Sequence, residues 1–120
     1  MNLNKVKLSD ETTHKLRLLK GRTGLTPNIL CRLGFCLSLN EPGIPDGNQY
    51  QDDGMEFNRY TLTGQWDTLF VALLKERCIE DGINLGEDFA EQFRAHLNRG
   101  VFLVYNRIKT LVDLKNLINH

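Results

Sequence analysis

The side chains of this sequence that could bind a ligand through their chemistry are basic and lie near its start. Residues 1–39 contain seven lysines and arginines against two acidic residues, a local balance of +5. Lysine and arginine neutralise phosphates, and such contacts dominate the affinity of proteins for DNA. The pattern indicates a polyanion such as DNA as the partner, and the bland alternative is a solvated face of an amphipathic helix. The candidate contacts are Lys5, Lys7, Lys15, Arg17, Lys20 and Arg22.

The rest of the chain compensates this charge, so that the net charge at pH 7 is zero. Residues 40–58 hold five acidic residues and no basic one, a balance of −5, and residues 59–120 hold eight of each sign. A polyanion would therefore meet one basic end of the molecule. Symmetric assembly of several chains could merge these ends into one patch.

A cysteine nucleophile is the main catalytic alternative, with Cys78 and His96 as its ingredients. Their separation in sequence gives no evidence that they meet, and both residue types are often structural. Cys31 and Cys36 are five residues apart, which does not place them on one helix face for a metal. The odd number of three cysteines, without a CxxC pair, fits reduced thiols in the cytoplasm. We predict no catalytic residue, no cofactor and no metal site.

The basic residues are carried by a predicted strand and a predicted helix. Val6 and Leu8 alternate with lysines, a period of two that suits a half-buried strand. Ser9 is a good N-cap for the helix that follows, and Gly24 can take the left-handed conformation that ends it. Thr26 can cap a second helix, because Pro27 fits its first position. This second helix is predicted to bury Ile29, Leu30, Leu33 and Leu37.

The middle of the chain is predicted to be a long acidic loop, residues 40–62, with a short extended piece near Met55. Its prolines and glycines and its lack of periodicity favour a loop. A third helix then follows, with Thr63 as its cap and Gly82 as its terminator. Its apolar stripe is predicted to lie in the core, and this stripe includes the single tryptophan, at Trp66, with Leu69, Phe70 and Leu73.

A long helix is predicted in the last third. Apolar residues recur there at spacings of three and four and pass through Gly100, where a glycine also permits close approach of another helix. The rival interpretation breaks the helix at 98–100 and makes 101–105 a buried strand. The apolar face of the helix is a natural contact between subunits, and residues 111–118 should form a short final helix. The stripe consists of Phe89, Phe93, Leu97, Val101, Val104, Ile108 and Leu111.

The order strand, helix, short turn, helix over roughly the first 40 residues resembles the ribbon-helix-helix family of DNA-binding modules. In that family two chains pair their strands into a ribbon whose outward side chains meet DNA, and the second helix points its N-terminus at a phosphate. The resemblance implies that Lys5 and Lys7 lie outward on the ribbon. It also implies that Thr26 and Asn28 lie at the phosphate-facing helix start.

Three segments together resemble the DndE family of DNA sulfur modification proteins over nearly the whole chain: LKGRTGLTPNILCRLGFCLSL, GMEFNRYTL and EQFRAHLNRGV. The resemblance implies a non-catalytic accessory protein of DNA phosphorothioation, a restriction-modification setting. It implies a partner in double-stranded DNA, with nicked duplex preferred. It further implies a homo-oligomer, with a tetramer expected, and contact with other subunits of the modification complex.

These observations predict a mainly α protein, an antiparallel helix bundle with a ribbon-helix-helix-like start. One domain is expected over 1–120, with a basic segment at 1–39, the acidic loop, and a helical core and assembly part at 63–120. The sequence has no apolar run long enough for a membrane span, and the cytoplasm is the expected location. The alternative function is a scaffold whose basic end docks acidic surfaces of partner proteins.

Overall fold

The computed structural model describes residues 3–109 and 111–118. Helices account for most of them, and one antiparallel pair of strands lies beside the helices, which confirms the predicted mainly α class. Among these residues no helix is both long and apolar enough to cross a membrane. The elements are β1 Lys5–Lys7, α1 Asp10–Thr23, α2 Pro27–Asn40, a 3-10 turn Gly47–Gln49, β2 Glu56–Asn58, α3 Arg59–Thr63, a second 3-10 turn Gly64–Trp66, α4 Asp67–Asp81, α5 Phe89–Arg107 and α6 Leu111–Ile118.

The ends of α1 and the start of α2 form as predicted. The Ser9 side chain accepts a hydrogen bond from an amide in the first turn of α1, and the same is true of Thr26 in α2. Gly24 adopts φ 75°, and its amide donates to the Lys20 carbonyl at 2.8 Å, which closes α1. Pro27 occupies the first turn of α2, where no hydrogen bond is lost.

The strand pairing differs from that of a ribbon-helix-helix dimer. Val6 and Leu8 are buried while Lys5 and Lys7 are exposed, so the predicted alternation is confirmed. However, β1 pairs with β2 of its own chain, and Val6 lies opposite Phe57. The strand expected from a second chain is thus supplied by the extended piece within the acidic loop.

The centre of the fold is a close crossing of α2 and α5. A Cβ added at Gly100 would lie 2.2 Å from the carbonyl carbon and oxygen of Gly34, and one added at Gly34 would lie 2.6 Å from the carbonyl carbon of Gly100. Glycine at both positions therefore lets the two backbones touch. The predicted passage of α5 through Gly100 is confirmed, and the chain breaks later, between α5 and α6.

The apolar stripe of α5 is used inside the chain. Its residues from Phe89 to Ile108 are at most 8% exposed. The prediction that this face is a subunit contact is therefore wrong, because α1, α2 and α4 of the same chain cover the helix. The covered stripe residues are Phe89, Phe93, Leu97, Val101, Val104 and Ile108.

The buried face of α2 is rotated from the predicted one. Ile29 is 44% exposed, and Leu33 and Leu37 are only half-buried. Because Gly34 must face α5, the side chains around it turn inward instead. The buried residues of α2 are Leu30, Cys31, Gly34, Phe35 and Ser38.

The third predicted helix is two helices. Thr63 is the last residue of α3, where its hydroxyl lies 2.8 Å from the carbonyl of Arg59, so it is not the cap of α4. Gly82 ends α4 in the left-handed conformation, as predicted. The expectation that Trp66 belongs to the core is wrong, since the side chain is 50% exposed at the start of α4.

The acidic loop is held against the helices by long polar side chains from α4 and α5. They donate to main-chain carbonyls of the loop and of the end of α2, so the loop follows a defined path without regular structure. Arg77 donates to Glu41 at 2.9 Å, Arg99 to Gly43 at 2.9 Å, and Arg94 to Gly47 at 3.2 Å and to Tyr50.

His96 lies fully buried in the middle of α5. Its Nδ1 is 2.8 Å from the Ser38 hydroxyl, which accepts a hydrogen bond of 2.9 Å from Nε of Arg99. Because the arginine can only donate, the Ser38 proton goes to Nδ1 and the ring is the neutral tautomer protonated at Nε2. Burial, together with the positive charges of Arg99 and Arg77, lowers the pKa of His96 to about 4.

Acid is expected to destabilise the fold through His96. In the unfolded chain this histidine returns to its ordinary pKa of 6.5, whereas in the folded chain it stays neutral down to about pH 4. The unfolded state therefore binds the proton first. The free energy of unfolding should fall by roughly 3 kcal/mol as the pH drops through this window. Denaturant unfolding across the window, for wild type and His96→Gln, measures this contribution as the difference between the two curves.

His14 offers a matched control for this measurement, because it is an exposed histidine of α1. The His14→Gln variant should keep the pH dependence of the wild type, including the part that carboxylates contribute. Parallel curves for wild type and His96→Gln between pH 6.5 and 4 would show that His96 is not the group responsible.

Candidate nucleic-acid interface

The predicted basic residues lie on β1 and α1, two consecutive elements. Lys5 and Lys7 are on the exposed face of β1, as the ribbon-helix-helix resemblance implies. On α1, Arg17 and Lys20 are exposed and lie three positions apart, which places them on one side of the helix. The remaining two α1 residues lie elsewhere on the helix and face an aromatic ring of α5, as described below.

Four of these cations are unpaired. Lys5, Lys7, Arg17 and Lys20 form no ion pair with any carboxylate of the described residues. The arginines further along the chain are engaged within the fold, because each of them meets a carboxylate or a carbonyl. The pairs are Arg59 with Asp67 at 3.0 Å, Arg77 with Asp81 at 2.8 Å, Arg94 with Glu91 at 3.3 Å and Arg107 with Glu41 at 3.2 Å.

The fold therefore sharpens the charge segregation that the sequence shows. A buried or paired guanidinium contributes little field to the surrounding solvent, since its partner cancels it at short range. Exposed and unpaired cations act over about one Debye length, roughly 8 Å at physiological salt. The positive potential of the molecule thus comes mainly from β1 and α1.

The ribbon face is less basic than its two lysines suggest. Lys7 lies opposite Glu56 and Lys5 lies opposite Asn58 on the exposed face of the sheet. Side chains directly opposite in an antiparallel pair are about 5 Å apart at Cβ, so the carboxylate reduces the local field. We therefore assign the stronger anion attraction to α1.

Thr26 and Asn28 lie at the start of α2, where the resemblance places them. The Thr26 hydroxyl accepts the amide of Ile29 at 3.4 Å, so it already serves the helix as a cap. Asn28 is half-buried in the first turn. The first turn of α2 carries no acidic residue, so nothing there repels an anion.

A second group of cations surrounds Tyr105 near the end of α5. The Nζ atom of Lys15 lies 4.2 Å from the ring centroid, the guanidinium carbon of Arg22 lies 4.7 Å from it, and Nζ of Lys109 lies 5.3 Å from it. An Nη2 of Arg22 also donates a long hydrogen bond of 3.5 Å to the Tyr105 hydroxyl. We call these four residues the Tyr105 cluster.

Tyr105 and Lys109 were missed by reasoning from the sequence. They lie four positions apart at the C-terminal end of α5, which is a signal that they share a helix face. Nothing in the sequence indicates that this face meets the basic side of α1. The Arg22 hydrogen bond and then the positive charges around the ring lower the pKa of Tyr105.

The acidic loop reaches the start of the basic helix. Oδ1 of Asp53 accepts the amide of Asp10 at 2.8 Å, so a loop carboxylate helps to cap α1. A Cβ at Gly54 would lie 2.4 Å from the Ser9 carbonyl oxygen and from Oγ1 of Thr13, so the loop packs tightly there.

The alternative cysteine nucleophile finds no support in the geometry. Cys78 is buried in the core, and burial followed by the Asp81 charge raises its pKa. A thiol of this kind is a weak nucleophile at neutral pH. The contact of His96 through Nδ1 is to Ser38. Burial likewise raises the pKa of Cys31 to about 12, and among the described residues no cluster of three metal-binding side chains occurs.

Comparison with known proteins gives one family and two solved structures. The family model for DNA sulphur modification protein DndE matches residues 5–111. The crystal structure of DndE from Escherichia coli B7A, involved in DNA phosphorothioation modification, is 26% identical with a TM-score of 0.67, and the match covers 87% of this chain and 99% of that one. A glycine-to-lysine mutant of DndE is 25% identical with a TM-score of 0.60, and covers 85% and 99%. No curated protein sequence matches the chain.

Proposed function

The chain belongs to the DndE family of DNA sulphur modification proteins, and from this premise we propose that it is a non-catalytic DNA-binding accessory protein of DNA phosphorothioation. It binds the phosphates of double-stranded DNA through its basic surface and leaves the sulfur chemistry to other subunits. The observation that supports this most is the contrast between the unpaired cations of β1 and α1 and the paired arginines downstream. The proposed contacts are Lys5, Lys7, Lys15, Arg17, Lys20, Arg22, Thr26 and Asn28.

Nicked duplex is the proposed preferred form. A nick turns the duplex into a flexible joint, so that bending it over several basic surfaces requires less deformation energy than bending intact DNA. The preference thus depends on an assembly that presents more than one such surface. Sequence is not read by these residues, because lysines that contact phosphates position DNA without discriminating bases.

We further propose that the protein assembles with copies of itself, as a tetramer, through the outer face of α4. With the α5 stripe buried inside the chain, α4 offers large exposed apolar side chains on one side. Trp66 and Leu69 are each 50% exposed and Leu73 is 37% exposed, at helical spacing. Contiguous exposed apolar groups of this kind are typical of protein contacts.

The test is binding of labelled duplexes, intact and singly nicked, across a salt series, with the mass of the protein in solution measured in the same buffer. Reversing the charge of Lys20 (Lys20→Glu) should weaken binding to both duplexes about tenfold, since it removes one phosphate contact and adds repulsion. Adding Arg17→Glu should lower the slope of log K against log salt by about 2 in total, because each phosphate contributes about 0.9.

Lys75→Glu is the control, because Lys75 is an exposed helical lysine of α4 and the change in net charge is the same. It should bind DNA nearly as the wild type does. A wild-type slope below two without preference for the nick would instead favour a scaffold that docks acidic partner surfaces. A monomeric mass at binding concentrations would contradict the proposed assembly.

A further inference from the structure

The three cations of the Tyr105 cluster lie unusually close together for a surface without bound anions. Their charged centres all fall within 5.3 Å of the centroid of one ring. The separations among them are therefore within about one Debye length at 0.1 M salt, roughly 10 Å. Like charges at such distances repel one another, and the face of one aromatic ring offsets only part of that repulsion.

No described carboxylate neutralises the cluster. Lys15, Arg22 and Lys109 form no ion pair, although Glu11 lies one helical turn before Lys15. Asp113 contacts the segment, but it does so by accepting the main-chain amide of Lys109 at 2.9 Å. The charges that act on the Tyr105 hydroxyl are accordingly all positive.

We propose that the Tyr105 cluster binds a terminal phosphate monoester of DNA, the group that ends a strand at a 5′-phosphorylated nick. The inference rests on the proposed DNA-binding function and goes beyond it, because it distinguishes a strand end from the continuous backbone. The cluster joins α1 to the end of α5, so it is built by the tertiary fold and not by one helix alone.

The charge of the cluster favours a monoester over a diester. A phosphate monoester carries a charge of nearly −2 at neutral pH, whereas each phosphate within a strand carries −1. Three cations are better compensated by the first. Arg22 can bind two phosphate oxygens with its planar guanidinium, while Lys15 and Lys109 act as point charges.

Tyr105 contributes a donor and a surface to the same site. Because Arg22 donates to the phenol oxygen, the hydroxyl proton of Tyr105 is free to donate to a phosphate oxygen. The ring is half-buried and its neighbour Phe102 packs against Tyr50 with centroids 5.8 Å apart, which restrains the wall of the site.

The experiment compares three duplexes of one sequence: intact, nicked with a 5′-hydroxyl, and nicked with a 5′-phosphate. Wild-type protein should bind the 5′-phosphate nick about tenfold more tightly than the 5′-hydroxyl nick, as expected for one added charge-assisted contact. Lys109→Gln should reduce this ratio to below about threefold, and Arg22→Gln should do the same. Lys75→Gln, the matched exposed lysine of α4, should leave the ratio unchanged.

The outcomes separate the inference from the proposed function. Equal affinity of the wild type for the two nicked duplexes, with salt-dependent binding retained, overturns the phosphate site and leaves the DNA-binding proposal standing. A ratio that falls as much in Lys75→Gln as in Lys109→Gln also overturns it, because the effect would then be one of overall charge. Absence of binding to all three duplexes overturns both.

Discussion

Replacing Gly100 by alanine is expected to destabilise the protein severely, by about 3 kcal/mol or more. The added Cβ would lie 2.2 Å from the carbonyl carbon and oxygen of Gly34. Both are main-chain atoms, so no side chain can rotate away, and α2 and α5 must move apart along their whole contact. The gain in helix propensity from glycine to alanine, about 1 kcal/mol, is too small to compensate this. Denaturant unfolding followed by circular dichroism measures the loss.

Gly21→Ala is the matched control, because Gly21 also lies within a helix but nothing is within 4 Å of an added Cβ. There the same chemical change should stabilise the protein by about 0.5 to 1 kcal/mol. The two substitutions should therefore have opposite signs. If Gly100→Ala were as stable as Gly21→Ala, the crossing of α2 and α5 would not be as close as described.

Replacing Arg94 by methionine is expected to release the acidic loop and to lower the free energy of unfolding by roughly 3 kcal/mol. The Arg94 side chain is 8% exposed and pairs with Glu91. It also donates to the carbonyls of Gly47 and Tyr50, which lie inside the loop. Methionine keeps much of the length and the apolar contacts, but it leaves these acceptors without a donor. Limited proteolysis should show faster cleavage within 44–54.

Arg107→Met provides the comparison for this result. Arg107 pairs with Glu41 across exposed surface, with 44% and 36% of the two side chains accessible. Ion pairs of this kind contribute about 0 to 1 kcal/mol, so the variant should unfold and be cleaved nearly as the wild type. Cleavage rates that are equal in the two variants would mean that Arg94 does not restrain the loop.

The ends of the elements could be predicted from sequence because the interactions that fix them are local. Ser9, Thr26 and Gly82 each act within about one turn of their own position, and their roles are visible in the residues beside them. The long α5 could be predicted for a related reason. Its apolar residues repeat with a helical period that Gly100 does not interrupt.

The faces that the helices present could not be predicted, because they depend on residues distant in sequence. Helix α4 has two apolar rows, and the one that includes Phe70, Leu74 and Cys78 is buried while the one with Trp66 and Leu69 is exposed. Periodicity alone gives both rows equal standing. On α2 the contact of Gly34 with Gly100 decides the buried face, and that contact exists only in the folded chain.

The candidate interface shows the same division. Charge counting identified the basic segment, because charge is a property of the sequence itself. It did not identify the Tyr105 cluster, since Tyr105 and Lys109 join Lys15 and Arg22 only through the packing of α1 on α5. Nor could it show that the arginines of α4 and α5 are engaged by loop carbonyls.

The pairing of β1 with β2 has a consequence for modularity. The first 39 residues look like a portable unit, yet the hydrogen-bonding partner of β1 and the surface that receives α2 both come from the part of the chain beyond them. A fragment cut after Leu39 would keep the positive charges and lose the scaffold that spaces them. In this protein the electrostatic character and the architecture are encoded in different stretches, so a basic segment of this kind cannot be transplanted or exchanged without the remainder that shapes it.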